Sequence, residues 1–202
     1  MHIPDGFLSG GVLGATALGG LAVFSVSSAR LKNSPPERIP LLGAAAAWVF
    51  AVQLLAFPAP GGASVHLNGV LLCAALLGPW SAALVSFSAL LLSALMFQHG
   101  GLFSLGANFI NIGVIQAFLG FALWRLRPAA SSALVIGPLL GFLSGLACAV
   151  ELYLSGRLAS GAGFLLLAGA QAAAGLAEGA VTASLLGALS RLKPGLLRLE
   201  RV

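Results

Sequence analysis

Residues 64–80 read SVHLNGVLLCAALLGPW and contain an apolar run that is too short to cross a membrane. The run extends from Ser64 to Leu77 and ends at a Gly-Pro-Trp sequence, which interrupts a helix. As an α-helix, these 14 residues would be about 21 Å long, whereas the hydrocarbon core of a bilayer is roughly 30 Å thick. We therefore expect the helix to begin inside the membrane, reached through residues 57–66 (FPAPGGASVH). Loop backbone at that depth must be buried by protein or face water, so this loop should line a site.

The rest of the chain is as apolar as this stretch. Of its 202 residues, 59% are hydrophobic and only 7% are charged, whereas a soluble domain carries about 25% charged residues. We predict an all-α integral membrane protein, with residues 1–202 forming a single transmembrane domain. Cys73 and Cys148 lie singly in apolar runs, which favours core packing over a disulfide or a metal site.

Apolar runs bounded by charged residues, proline or glycine predict about seven transmembrane helices, one of them short. The predicted spans are residues 7–31, 39–57, 64–77, 79–97, 102–124, 132–154 and 162–192.

Basic residues are distributed unevenly among the predicted connections. Nine of the ten fall on one side of a seven-span bundle, which the positive-inside rule assigns to the cytoplasm. The N-terminus is then outside, together with the connections that carry His66 and His99, and Arg157 is the tenth basic residue. The net charge of +5 thus reflects topology and does not indicate a nucleic-acid partner. The nine are Arg30, Lys32, Arg38, Arg125, Arg127, Arg191, Lys193, Arg198 and Arg201.

The N-terminal sequence MHIPDGFLSGG (residues 1–11) places a histidine at position 2. We expect no cleavable leader ahead of Met1. The large side chain at position 2 should hinder removal of the initiator methionine, so we expect Met1 to keep a free α-amine. That amine, the backbone nitrogen of His2 and the His2 imidazole can chelate one ion through fused rings. Three nitrogens in a plane leave one open corner, and square-planar nitrogen ligation favours Ni(II) or Cu(II).

The open corner needs another imidazole. His66 is the best candidate because it lies at the start of the short third span, in the loop expected to be buried. His99 is expected to be an interfacial residue or a neighbour of the ligands, and Asn108 and Ser64 are further candidates for neighbours. The alternative for each histidine, including His2, is a plain polar anchor at the membrane interface.

Several polar residues lie within the predicted spans. Gln171 and Glu178 are seven residues apart and so share one face of the last helix, and Asn108 and Asn111 share a face of the fifth. The alternative for each is a helix–helix hydrogen bond, which is worth about 0.6 kcal/mol on average, and for Asn108 a role near the site stays equally open. Whether Glu178 balances a charge or clamps helices together stays open from the sequence.

Four sequence blocks together resemble a known family, the CbiM/NikM family. Its members are the cobalt/nickel substrate-binding membrane components of energy-coupling factor (ECF-type) ABC transporters. The resemblance extends from Met1 to about Ala183. The blocks are MHIPDGFL (residues 1–8), SVHLNGVLLCAALLGPW (64–80), FQHGGLFSLGANFINIG (97–113) and GLAEGAVTA (175–183).

The resemblance implies a function and a ligand set. The ion, Ni²⁺ or Co²⁺, would be held by the amine of Met1, the backbone and ring nitrogens of His2, and the ring of His66, with no prosthetic group. The protein would work in a bacterial or archaeal cell membrane with a transmembrane coupling subunit, cytoplasmic ATPase subunits and a small accessory membrane protein. It would not be an enzyme itself, and the chain has no G-x-x-x-x-G-K-[ST] motif for ATP.

Three positions depart from the family pattern. His99 stands where the family often has Asp, Gln171 where it commonly has His, and Asn68 interrupts the usual HLLGG sequence. The departures leave the implied ligands intact, but they prevent a transfer of the neighbouring roles and a choice between nickel and cobalt. By resemblance, the sequence HIPDG (residues 2–6) weakly favours nickel over cobalt.

Three other classes of protein compete with this interpretation. A self-sufficient metal-ion secondary transporter or channel often shows internal repeats, which we do not find in the two halves. An intramembrane hydrolase using Ser64 is disfavoured because no G-x-S-x-G sequence is present. A purely structural bundle partner would leave the histidine at position 2 as a coincidence.

Overall fold

A computed structural model describes residues 1–58, 64–159 and 161–192. The order of elements is helix, helix, a two-stranded antiparallel hairpin, and then helices to the end of the described part. The first four elements are α1 (Gly10–Leu31), α2 (Arg38–Gln53), β1 (Ala56–Pro58) and β2 (Ser64–His66). They are followed by α3 (Val70–Leu77), α4 (Pro79–Phe97), α5 (Leu105–Asn108), a π-helix (Phe109–Leu119), α6 (Gly120–Leu126), a 3-10 turn (Ala130–Ser132), α7 (Ala133–Leu154) and α8 (Ala162–Leu192).

The length and composition of the helices suit a bilayer. Within the described residues, five helices are long and apolar enough to cross a membrane, and α2 is a shorter apolar helix. The number of crossings and their direction stay predictions. The five are Gly10–Leu31, Pro79–Phe97, Leu105–Leu126, Ala130–Leu154 and Ala162–Leu192.

The region of the predicted short span differs from expectation. The helix expected over residues 64–77 begins only at Val70, because the residues from Ser64 to His66 pair with β1 as a strand. Gly69 has a φ of 74°, in the left-handed region, so the helix cannot be continued backwards through it. With eight residues, α3 is about 12 Å long and still more clearly too short to cross.

The same hairpin shortens the second predicted helix. This helix, expected over residues 39–57, ends at Gln53, and the chain then enters β1, where Ala56 lies opposite His66. Part of the loop that we expected to enter the membrane, residues 59–63, lies outside the described residues.

The fifth helical segment is continuous but irregular. From Leu105 to Leu126 it passes through α5, an 11-residue π-helix and α6. Its first turn packs closely on α1, because a Cβ on Gly106 would lie 2.7 Å from the Cα of Ala17. This close packing brings Asn108, at the end of α5, next to the residues that precede α1.

Helices α7 and α8 also pack backbone to backbone. A Cβ at Gly145 on α7 would lie 2.7 Å from the carbonyl oxygen of Leu167. A Cβ at Gly175 on α8 would likewise clash with the backbone of Pro138. Small residues at such spacing let membrane helices approach closely. The two helices therefore form a tightly packed pair, and packing on α7 fixes the positions of the residues of α8.

Arg30 and His99 lie at opposite ends of α4. The Arg30 guanidinium stacks 4.5 Å above the ring of Trp80, at the start of α4, whereas His99 follows the end of this helix. Nineteen helical residues, about 28 Å, separate these ends. Arg157 lies at the histidine end, where its Nη2 donates to the carbonyl oxygen of Gly6 at 3.3 Å. The tail residues Lys193, Arg198 and Arg201 lie outside the described residues.

Candidate metal centre

The N-terminal segment, residues 1–9, folds back into the end of the bundle. Ile3 is only 1% exposed and packs in a small apolar cluster with Leu8, Ala107 and Cys148. Burying this backbone requires a hydrogen-bond partner for each of its polar groups. The partners identify the residues that hold the segment in place.

Asn108 binds both the backbone N–H and the backbone carbonyl of Ile3. The amide nitrogen of Ile3 donates to Asn108 Oδ1 at 2.7 Å, and Asn108 Nδ2 donates to the Ile3 carbonyl oxygen at 3.0 Å. The Ser104 hydroxyl donates to the same carbonyl at 2.7 Å. Asn108, which the sequence suggested as a neighbour of the site, thus holds the residue that follows His2.

Asp5 ties the segment to the connection after α4. Its carboxylate accepts the backbone N–H groups of Leu102, at 3.0 Å, and Ser104, at 2.9 Å. The approach requires glycine at position 101, since a Cβ there would overlap the Asp5 carboxylate. Sequence reasoning missed Asp5. The only signal for it was a carboxylate in the turn-forming Pro-Asp-Gly sequence.

The three histidines come together around the His2 ring. The His2 and His66 rings are stacked with centroids 4.5 Å apart, and the His99 ring is 4.2 Å from that of His2. The centroids of His66 and His99 are 6.0 Å apart. His99 is half-buried, and its ring lies beside that of His2. The third candidate neighbour, Ser64, begins β2, and its side chain is outside the described part.

The α-amine of Met1 contacts the ring of His66. The amine donates to His66 Nε2 and approaches Gln171 Oε1 at 3.5 Å. On the other side of the His66 ring, Nδ1 lies 2.9 Å from the carbonyl oxygen of Leu67. A carbonyl can only accept, so the proton sits on Nδ1 and the lone pair of Nε2 points towards Met1. This tautomer leaves Nε2 available as a metal ligand.

Burial favours the neutral form of these nitrogens. It lowers the pKa of the Met1 α-amine to about 5, with nearby Cys148 and Glu178 acting in the opposite direction. Burial likewise lowers the pKa of the His2 imidazole, and the nearby His66 ring and Met1 amine add to the effect. The neutral forms carry the lone pairs that a metal ion requires of its ligands.

The segment that carries His66 is held by α8. Gln171 Nε2 donates to the carbonyl oxygen of His66 at 3.0 Å. About two turns further along the same face of α8, the Glu178 carboxylate accepts the N–H groups of Asn68, at 2.9 Å, and Gly69, at 3.1 Å. The sequence placed Gln171 and Glu178 on one face but did not indicate what they bind, because their partners are backbone groups.

Side chains of α2 complete this support. Trp48 Nε1 donates to the carbonyl oxygen of Gly69 at 3.1 Å, and Gln53 Nε2 donates to that of Asn68 at 3.4 Å. His66 and Gln53 are both almost completely buried. The backbone from residue 66 to residue 69 is thus fixed from two sides.

The centre differs from a site built from side chains alone. In the described part of the chain, no three His, Cys, Asp or Glu side chains are arranged to hold a metal ion. The arrangement instead brings together an α-amine, the backbone nitrogen and ring of His2, and the ring of His66. Nitrogen donors of this kind suit Ni(II) and related divalent ions of the first transition row.

Comparison with known protein families identifies the family of this chain. The profile of the CbiM family, described as the cobalt uptake substrate-specific transmembrane region, matches residues 2–196. The chain belongs to the CbiM family. The resemblance seen in the four sequence blocks is therefore confirmed.

Relatives of this CbiM-family chain are described as metal transport proteins. A metal transport protein of Haloquadratum walsbyi is 34% identical and is covered to 93%, with 98% of this chain aligned. A fused nickel transport protein, LarMN, of Lactiplantibacillus plantarum is 37% identical over 79% of this chain. The alignment covers 51% of LarMN, so this chain spans about half the length of that relative.

A solved structure shares the fold of this CbiM-family chain. The crystal structure of a transition metal transporter superposes with a TM-score of 0.85 at 27% sequence identity, covering all of this chain and 98% of the other. The predicted all-helical membrane architecture is thereby confirmed.

Proposed function

We propose that this chain captures Ni²⁺ or Co²⁺ at the outer face of a bacterial or archaeal cell membrane and delivers it for ATP-driven import. The observation that carries the proposal is the contact between the Met1 α-amine and His66 Nε2, with the His2 ring stacked beside them. The ion is the cargo, and the chain acts as a transport component rather than as an enzyme.

The proposed ligands are the Met1 amine, the backbone and ring nitrogens of His2, and His66 Nε2. The first three close fused rings around one ion, and the fourth comes from a different part of the chain. Binding would break the hydrogen bond between the amine and His66 Nε2 and would displace the proton of the His2 amide nitrogen. Binding would therefore release this proton, as is general when a ligand must be deprotonated.

The choice of cargo rests on family membership and on donor type. The family is described by cobalt uptake, and the LarMN relative by nickel transport. A planar set of nitrogens favours Ni(II) on geometry, whereas Co(II) rests on the family description alone.

Import would require other subunits. We infer a transmembrane coupling subunit, cytoplasmic ATPase subunits and a small accessory membrane protein. The fused composition of the LarMN relative supports the presence of further components. In this arrangement the N-terminus faces outwards and the C-terminus faces the cytoplasm. ATP-driven motion of the partners would tilt the bundle and withdraw the N-terminal segment from His66, which releases the ion.

The test is uptake of radioactive nickel and cobalt by cells that lack their own importers. We expect uptake only when the chain is produced together with the coupling subunit and ATPases, and none with a His66→Ala variant. Uptake by the chain alone would contradict the proposal and indicate a secondary transporter or channel.

A further inference from the structure

Two side chains of α8 contact the segment that carries the proposed ligand His66. Gln171 and Glu178 lie seven residues apart on the face of α8 that meets residues 66–69, and both are at least 96% buried. All their hydrogen bonds to this segment go to its backbone, so they fix where the segment lies whatever side chains it carries.

Gln171 touches both parts of the proposed centre. Its Nε2 donates to the carbonyl oxygen of His66 at 3.0 Å, and its Oε1 lies 3.5 Å from the Met1 amine. One amide group thus bridges the two segments that an ion would join. The contact also gives the amine an acceptor for one N–H, which leaves its lone pair free to face the ion.

Glu178 acts at the start of α3. Its two carboxylate oxygens accept the N–H groups of Asn68 and Gly69, directly before the first residue of this helix. A carboxylate is favourable at the N-terminal end of a helix, where backbone N–H groups are unpaired and the helix dipole is positive. The carboxylate therefore holds the short helix and His66 in one fixed relation.

We propose that Gln171 and Glu178 form a clamp on α8 that positions His66 for metal capture. The clamp rests on the proposed function, because it acts through His66 as a ligand. The two residues are positioning residues, since neither is proposed to bind the ion itself.

The experiment compares matched substitutions in the purified full-length protein. Gln171→Leu is paired with Gln116→Leu, because Gln116 is an equally buried amide without a hydrogen-bond partner in the described part of the chain. Glu178→Gln is paired with Glu151→Gln, a buried carboxylate that binds Asn111 rather than residues 66–69. Ni²⁺ affinity is measured by titration calorimetry, and the absorption bands of bound Ni²⁺ report its ligand set.

We expect Gln171→Leu to lower the Ni²⁺ affinity by about 10–100-fold, the range for loss of a residue that orients a ligand. Glu178→Gln should lower it by about 10-fold, because an amide accepts only one of the two N–H groups. Both substitutions should shift the absorption bands of bound Ni²⁺ towards those of the His66→Ala variant. The two control variants should keep the wild-type affinity and spectrum.

The clamp would be overturned if Gln171→Leu and Glu178→Gln kept the wild-type affinity and spectrum, even with lowered thermal stability. The proposed function would still stand in that case. Failure of the wild-type protein to bind Ni²⁺ or Co²⁺ would instead overturn the proposed function, and the clamp with it. Thermal unfolding of every variant separates a loss of fold from a loss of binding.

Discussion

The N-terminal half of the candidate centre and the His66 half are held by different parts of the bundle. Met1 and His2 are fixed through Ile3 and Asp5, which bind residues of α5 and of the connection before it. His66 follows a short hairpin and is fixed through its backbone by α2 and α8.

The difference shows which helices hold each half. An ion bound by both halves would join two segments that different helices support, and Gln171 of α8 contacts both of them. Helix α1 packs closely on the first turn of the fifth helical segment, although most of its residues are exposed within this chain. Function is thus concentrated in irregular segments positioned by rigid helices, as is common in proteins. Substitutions can test each half separately.

The largest effect is expected from the ligands themselves. His2→Ala and His66→Ala each remove one proposed nitrogen donor from a different half. We expect each to lower the Ni²⁺ affinity by more than the roughly 10–100-fold that the loss of an orienting residue produces. Titration calorimetry of the purified variants checks this, and equal affinities of wild type and both variants would contradict the assigned ligands.

The next effect concerns the support of the N-terminal half. Asn108→Ala leaves the buried N–H and carbonyl of Ile3 without this partner, which costs about 1–3 kcal/mol of stability. We expect the Ni²⁺ affinity to fall by about 10–100-fold. Asn111→Ala is the matched control, because Asn111 binds Glu151 and does not touch the N-terminal segment. An equal loss of affinity in the control would show that the effect is general destabilisation.

A smaller effect is expected at Gly101. The methyl group of Gly101→Ala would occupy the place of the Asp5 carboxylate and displace it from Leu102 and Ser104. We expect an affinity loss of about 10-fold, since Asp5 acts three residues away from His2. Gly11→Ala is the control, because a Cβ at Gly11 meets no atom within 4 Å. Calorimetry with Ni²⁺ distinguishes the two variants.

The smallest effect is expected from Arg157→Ala. Arg157 makes one exposed, 3.3 Å hydrogen bond to the Gly6 carbonyl. Surface substitutions of this kind change stability by no more than about 0.5 kcal/mol, which corresponds to about a 2-fold change in affinity. A larger loss of Ni²⁺ affinity in the same titration would mean that the contact between Arg157 and Gly6 contributes more to metal binding than one exposed hydrogen bond indicates.

The sequence was sufficient for the positions of several helices. Apolar runs interrupted at glycine and proline predicted helices near the observed Pro79–Phe97 and Ala162–Leu192. The sequence was insufficient for the hairpin, because the pairing of Ala56 with His66 depends on a contact between two short segments that carry no strand pattern of their own.

The candidate site shows a similar limit. Donor chemistry and position singled out Met1, His2 and His66, since few arrangements of so few polar residues can bind an ion. The residues that hold them, such as Asp5 and Glu178, bind backbone N–H groups. No spacing of side chains along the sequence reveals a partner of that kind.

The central claim is that the α-amine of Met1 and the ring of His2 bind the same ion. The most direct test is Ni²⁺ and Co²⁺ binding by a variant with two glutamines inserted between Met1 and His2. This insertion keeps every side chain, and the bulky second residue retains Met1. A single inserted residue is unsuitable because it would create another chelate from the amine, two backbone nitrogens and the histidine.

The control carries the same two glutamines between residues 33 and 34, in the connection from α1 to α2 at the opposite end of the bundle. The account predicts that the N-terminal insertion abolishes binding of both ions, whereas the control binds them as the wild type does. Wild-type affinity in the N-terminal insertion variant would show that the α-amine is not a ligand and would contradict the proposed centre.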